Sequence, residues 1–407
     1  MDELIRDRMH EALDAEPPRP GLRARVIGSV PMQDRTERWA RPQRFQRAGQ
    51  FASGLVAALL AVAVIAGLVY SRQAVGSPNQ GVGSHTASPP RLISPEGIAV
   101  APDGTVYVSD FVGDRVFRLL PGGALVSIAG GGVGKDGPAT QAYLAHPGAL
   151  AVDSQGKLYL VDNLGGTVRR VDRQGIISTV TTGYGSQGLA FDSAGVLYVG
   201  SSYSELRSID QRGGSASLDL SSLPAPALQP GYLAFDSAGD LYVADQAPVA
   251  TGPYPNPAGG CRIVRMTPSQ KHTQAATVWG ITVVAGTGVC GFSGDGGAAT
   301  SAHLNNPKGI VFDAAGNLYF ADSDNHRIRR IDKNGIITTV AGTGVAGFSG
   351  DGGTATKALL AYPTGMGITS GGLLYISDGC ACMDPTTAGH VRALRLSDGI
   401  ITTVAGG

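Results

Sequence analysis

The chain has 407 residues, enough for two or three domains, and its 32 basic and 32 acidic residues cancel. A formal charge of zero excludes a global electrostatic pull toward nucleic acid or anionic surfaces. Glycine supplies 60 residues, about twice its usual share, which points to turn-dense β-structure, and the regular apolar runs exclude a disordered chain.

Residues 1–50 hold ten arginines, no lysine and eight acidic residues. A short helix is predicted over Asp2–Ala15, with Leu4, Ile5, Met9 and Leu13 on one side and Pro17, Pro18 and Pro20 ending it. The segment reads as a flexible cytoplasmic tail, or as a docking segment for a cytoplasmic partner such as a sigma factor. It has no cysteine and a single histidine, His10, so it carries no zinc-binding anti-sigma motif.

Residues 51–70, FASGLVAALLAVAVIAGLVY, carry no charge. Twenty residues at a rise of about 1.5 Å span about 30 Å, the hydrocarbon thickness of a bilayer. Fifty mostly polar residues precede the run, so a retained single-pass transmembrane helix is expected rather than a cleaved signal peptide. Arg35, Arg38, Arg41, Arg44 and Arg47 precede it, and Arg72 alone follows closely. That asymmetry places the N-terminus in the cytoplasm and the rest of the chain outside. Residues 71–91, rich in Gly, Ser and Pro, read as a flexible linker.

From residue 92 a unit recurs six times. Its turn glycines are Gly104, Gly156, Gly195, Gly239, Gly316 and Gly372, each followed three residues on by a tyrosine: Tyr107, Tyr159, Tyr198, Tyr242, Tyr319 and Tyr375. Each copy reads as four short strands; in the fifth these are GIVF (309–312), NLYFAD (317–322), RIRRID (327–332) and IITTVAG (336–342). LYFA is apolar on both faces, whereas RIRRI alternates and is expected to show one face to water. A lone sheet cannot bury two apolar faces, but six sheets stacked in a ring bury them all. The predicted fold is therefore all-β: a six-bladed propeller of four-stranded antiparallel blades over residues 92–407, preceded by one transmembrane helix. Both end copies look like complete blades, so closure is expected from packing between blades 1 and 6, or from a linker strand.

PKGIVFDAAGNLYFADSDNHRIRRID (307–332) resembles the NHL repeat, and TVAGTGVAGFSGDGG (339–353) resembles its form in bacterial NHL proteins and teneurins. Residues 281–297 and 337–353 agree at 15 of 17 positions. The resemblance implies a propeller that binds a partner. Six-bladed propellers also include metal-dependent gluconolactonase-like hydrolases and streptogramin lyases, which draw channel-facing ligands from several blades. The first strands, read as GIAV, ALAV, GLAF, YLAF, GIVF and GMGI, offer no such ligand.

Four features are candidates for chemistry. Asp110, Asp162, Asp245, Asp322 and Asp378 end the second strands of five copies, and a residue repeated in nearly every blade is expected to cap a turn. Asp295 and Asp351 sit in GFSGDGG, where successive glycines suit an anion nest or a cation site, or else an ordered connection packing Leu304 and Leu360. Cys261 and Cys290 are candidates for a disulfide; Cys380 and Cys382 for a disulfide, free thiols or a soft-metal site. The insertions 246–260 and 379–389 both interrupt the connection from second to third strand, so both fall on one rim, with Tyr254 and Asn256 as contact residues. No catalytic residue, cofactor or nucleic-acid partner is predicted. The expected function is a membrane-anchored recognition module whose ligand is an extracellular protein, peptide or glycan.

Overall fold

The repeating D-x-x-G segments turn the chain. Asp153, Asp192 and Asp236 each accept backbone N–H groups two and four residues on, at 2.8–3.0 Å. The glycines that close these turns, Gly156, Gly195 and Gly239, have φ of 75–88°, which only glycine adopts without strain. Asp172, Asp210 and Asp332 repeat the device between third and fourth strands. Every blade thus presents tight turns on one face of the molecule. Its other connections leave from the opposite face, because successive strands are antiparallel.

The structure is a computed structural model describing residues 91–182, 186–201, 205–218, 229–246, 260–268, 279–379 and 389–407. The chain divides into two units, Met1–His85 and Thr86–Gly407. The first unit, with the tail and the apolar run 51–70, lies outside the described residues, as do Tyr254, Asn256, Cys380 and Cys382. Among the described residues no helix is long and apolar enough to cross a membrane.

The second unit forms six sheets, each from one continuous segment. Blade 1 comprises Pro95–Val100, Val106–Asp110, Arg115–Leu119 and Leu125–Gly130. Blade 2 comprises Pro147–Val152, Leu158–Asp162, Thr167–Val171 and Ile176–Thr182, and blade 3 Ser186–Phe191, Leu197–Ser201, Glu205–Ile209 and Ser215–Ser217. Blade 4 comprises Pro230–Phe235, Leu241–Asp245, Arg262–Pro268 and Trp279–Ala285. Blade 5 comprises Pro307–Phe312, Leu318–Asp322, Arg327–Ile331 and Ile337–Ala341, and blade 6 Met366–Ile368, Leu373–Asp378, His390–Arg395 and Ile400–Gly406. The six-bladed all-β propeller is as expected. Most first strands start earlier than the sequence suggests, at the proline before the apolar run.

The core lies between blades rather than within them. Each of the six buried apolar clusters straddles one seam: Leu160 and Ile177 of blade 2 pack with Val116 and Ala129 of blade 1, and Phe320 of blade 5 with Ile263 of blade 4. The ring-closing seam joins Ile98, Val108 and Phe117 of blade 1 to Val391 and Ala405 of blade 6. No described strand is shared between the chain's two ends. Closure rests on that packing, on the Thr364 hydroxyl donating to the Glu96 carbonyl at 3.2 Å, and on Arg91 Nε donating to the Gly407 carbonyl at 2.9 Å.

The long connections clip themselves to the next blade. Gly137–Pro138 pairs with the outer strand of blade 2 and Gly353–Thr354 with that of blade 6. Each covers an otherwise open sheet edge. A 3₁₀ turn follows, then a fully buried leucine: Leu144, Leu304 or Leu360.

A histidine stands at the rim of the seam between blades 5 and 6. His326 accepts the Tyr362 N–H on Nδ1 at 3.3 Å, and its ring meets Tyr362 edge-on at 4.5 Å. Burial, and secondarily the Arg327 charge, outweighs the pull of Asp324 and lowers the His326 pKa. A histidine depressed in the fold contributes stability above its unfolded value of about 6.5 and loses it as pH falls through the folded value. His326→Gln is therefore expected to lower the melting temperature at pH 7.5, with the gap to the parent chain shrinking at pH 5.5.

Candidate functional site

Strand direction decides which loops meet. The second-to-third-strand connections and the blade-to-blade tails both leave from the face opposite the tight turns. That face therefore carries the strand ends between which both insertions lie in sequence, the glycine-rich tails and the start of every first strand.

The recurrent aspartates hold this face together. Asp110 accepts the N–H groups of Ile93 and Ser94, and Asp162, Asp245, Asp322 and Asp378 accept those of Ala145, Gln229, Asn305 and Ala361, all at 2.7–2.9 Å. Each ties the end of a second strand to the chain entering the same blade. In copy 3, Ser201 takes the place of this aspartate and is buried.

Asp295 and Asp351 are not loose ligand groups. Asp295 pairs with Arg329 at 2.9 Å and Asp351 with Arg392 at 2.8 Å. The same two arginines reach Asp322 and Asp378, each at 3.1 Å. Arg169 repeats the arrangement between Asp136 and Asp162. Arg329 and Arg392 are 0% exposed, so the third strand does not simply turn one face to water as its alternation suggests. A guanidinium tolerates that burial because its fork meets two carboxylates and, at Arg329, the Ser293 carbonyl at 3.1 Å. The nearby glycine N–H groups are also committed: Gly296 donates to Ile337 and Gly352 to Ile401. Phe292 lies against Arg327 and Arg329, with its centroid 3.7 and 4.9 Å from their guanidinium carbons. The tail thus acts as a clasp. Burial raises Asp322 and Asp378 to about 6, outweighing the N–H donors and the arginines.

Two further contacts bind tails to the bases of the insertions. Cys261, just after the first insertion, forms a disulfide with Cys290 of the following tail, with a Cα–Cα distance of 5.3 Å. Phe348 stacks on His390, just after the second insertion, with centroids 3.7 Å apart. Val133, Val289 and Val345 stand exposed in the three tails.

The channel mouth carries the groups that reading the first strands from their apolar runs passes over. Glu96 of blade 1 accepts a hydrogen bond from the Tyr232 hydroxyl of blade 4 at 2.5 Å. Those blades stand opposite each other in the ring, so the pair crosses the channel. Burial first, then the facing Glu96, raises the Tyr232 pKa well above its ordinary value, so the phenol keeps its proton and acts as donor. Around it the inner strands approach closely. A Cβ on Gly97, Gly188, Gly309 or Gly365 would land on a carbonyl oxygen of the next blade. Lys308 of blade 5 occupies the position in its repeat that Glu96 occupies in blade 1. The legible signal was a proline–x–glycine opening in which only x varies: Pro95-Glu96-Gly97, Pro307-Lys308-Gly309 and Pro363-Thr364-Gly365. Among the described residues no three His, Cys, Asp or Glu side chains gather as a metal site. On the opposite face a groove of about 710 Å³ runs between blades 1 and 2, lined among others by Tyr107, Arg118, Arg173 and Ile176.

The model of the teneurin NHL domain matches residues 129–188 and 183–347. Teneurin-3 of Danio rerio is 38% identical over 166 residues, covering 38% of this chain and 5% of that protein. Teneurin-1 of Homo sapiens is 37% identical over 163 residues, with the same two shares. The chain thus matches about one-twentieth of the length of these relatives. A structural-genomics protein of unknown function from Bacteroides thetaiotaomicron superposes with a TM-score of 0.55 at 19% identity, over 74% of this chain and 69% of that one. An auxiliary nutrient binding protein from the same organism superposes with a TM-score of 0.54 at 17% identity, over 71% and 67%. Both share the fold.

Proposed function

Because the chain belongs to the teneurin NHL-domain family, we propose that it is a non-enzymatic binding module whose ligand docks on the insertion face. The observation that carries this is convergence. The strand ends flanking both insertions, the exposed tail valines and the channel mouth share one face, on a scaffold fixed by buried ion pairs and a disulfide. The recurrent carboxylates are spent on backbone N–H groups and arginines, which supports recognition over hydrolysis. In this reading residues 51–70 anchor the chain in a membrane, the arginine-rich tail stays in the cytoplasm, and the propeller meets a protein, peptide or glycan outside.

The test has two arms. In sealed vesicles bearing the full chain, protease added to the extracytoplasmic side should remove the propeller and spare the tail. A photo-crosslinker at Val345 should then capture a partner that one at Arg173, on the opposite face, does not. A metal-dependent hydrolase would have Glu96 to build on; one divalent ion held per purified chain would displace the binding reading.

A further inference from the structure

The carboxylate of Glu96 is half-buried at the channel mouth, where Tyr232 occupies one of its oxygens. Among the described residues no ion pair includes Glu96 or Lys308. A partly desolvated carboxylate without a counter-ion is an unmet demand for positive charge. The channel limits what can answer it. Glycines at four of the six inner strands let neighbouring backbones meet, and Tyr232 reaches across from blade 4 to Glu96. Of the cations that could answer it, a primary ammonium on a slender stem has a compact head group that can still donate hydrogen bonds. Such a group brings three N–H donors for the free carboxylate oxygen and a charge that lies well against the Tyr232 ring.

We infer that the channel mouth of this propeller is a binding site for a primary ammonium group, with Glu96 as counter-ion and Tyr232 as the wall beside it. Access relies on the insertion face being the binding face, but the chemistry rests on Glu96 itself. The ammonium comes from a free small amine or from the amino terminus of a peptide. Lys308 acts on specificity: one cation of the same sign near the mouth weakens the site for a bare amine.

The experiment is calorimetric titration of the full chain in mild detergent with glycinamide, triglycinamide, N-acetyl-triglycinamide and tetramethylammonium. Saturable binding of the first two and none of the last two is expected. Glycinamide binding stronger than that of triglycinamide marks a small-amine site, and the reverse marks a peptide terminus. Glu96→Gln should weaken binding about tenfold with an unchanged melt, since a charge-assisted hydrogen bond is lost. Should that variant misfold, Lys308→Met decides: it should tighten glycinamide binding a few-fold. The inference is overturned by unaltered binding in a folded Glu96→Gln, by equal binding of the acetylated peptide or of tetramethylammonium, by no response to any amine, or by looser binding in Lys308→Met. Partner capture at Val345 together with no response to any amine would leave the rim reading standing while this one falls.

Discussion

Arg329→Met is expected to destabilise the propeller by about 3–5 kcal/mol, a large part of the stability of an ordinary domain. The reason is an imbalance between its two partners. Asp295 is 38% exposed and can return to water, whereas Asp322 is 0% exposed and would be left charged inside the seam. Asp322→Asn added to Arg329→Met removes the stranded charge and should restore most of the loss, the mark of a coupled pair. The pH dependence has a definite sign. Burial already raises Asp322 to about 6 against an unfolded value of about 3.9. A raised carboxyl contributes stability below the unfolded value and loses it as pH rises through the folded one. Removing Arg329 raises the carboxyl further, so the penalty should be full at pH 7.5 and smaller at pH 5. Thermal melts at the two pH values, with near-ultraviolet dichroism to confirm the native fold, measure it. An equal penalty at both would mean that Asp322 is not the group left stranded.

Phe117→Ala is expected to cost about 3–5 kcal/mol as well, by a different route. Phe117 is 2% exposed and packs in the seam where blade 1 meets blade 6. No described strand is shared across that seam, so apolar contact carries most of its strength. The cavity should favour opening there before anywhere else. Hydrogen exchange should speed up first in Pro95–Val100 and His390–Arg395, while the seam of blades 3 and 4 stays protected. Uniform loss of protection around the ring would show that the closing seam is not the weak point. Phe117→Leu, which keeps most of the volume, should cost far less.

The blade count was legible because it is written locally. The left-handed glycine, the Asx turn before it and the alternation of the strands are each set within a few residues, and they recur wherever a blade does. Asp162, Asp322 and Asp378 were legible as recurrent structural residues, but not as what they are: each was expected to cap a local turn and instead accepts an N–H from 17 residues upstream and faces an arginine. Cys261 and Cys290 were legible as candidates because one stands at the opening of the third strand of blade 4 and the other follows its fourth, and the structure bonds them. Asp295 and Asp351 were picked out as unusual acids, but their work was not, because Arg329 and Arg392 look like solvent-facing members of an alternating strand until the tail lies over them.

The sequence by itself therefore determined the unit and its number, since apolar faces on both sides of each sheet require a neighbour. Only the tertiary structure decided how the ring closes, which arginines are interior, and that Glu96 meets Tyr232 from the opposite blade. Those contacts join residues as far as 316 positions apart, and no periodicity along the chain records a partner that the closing of the ring brings into reach.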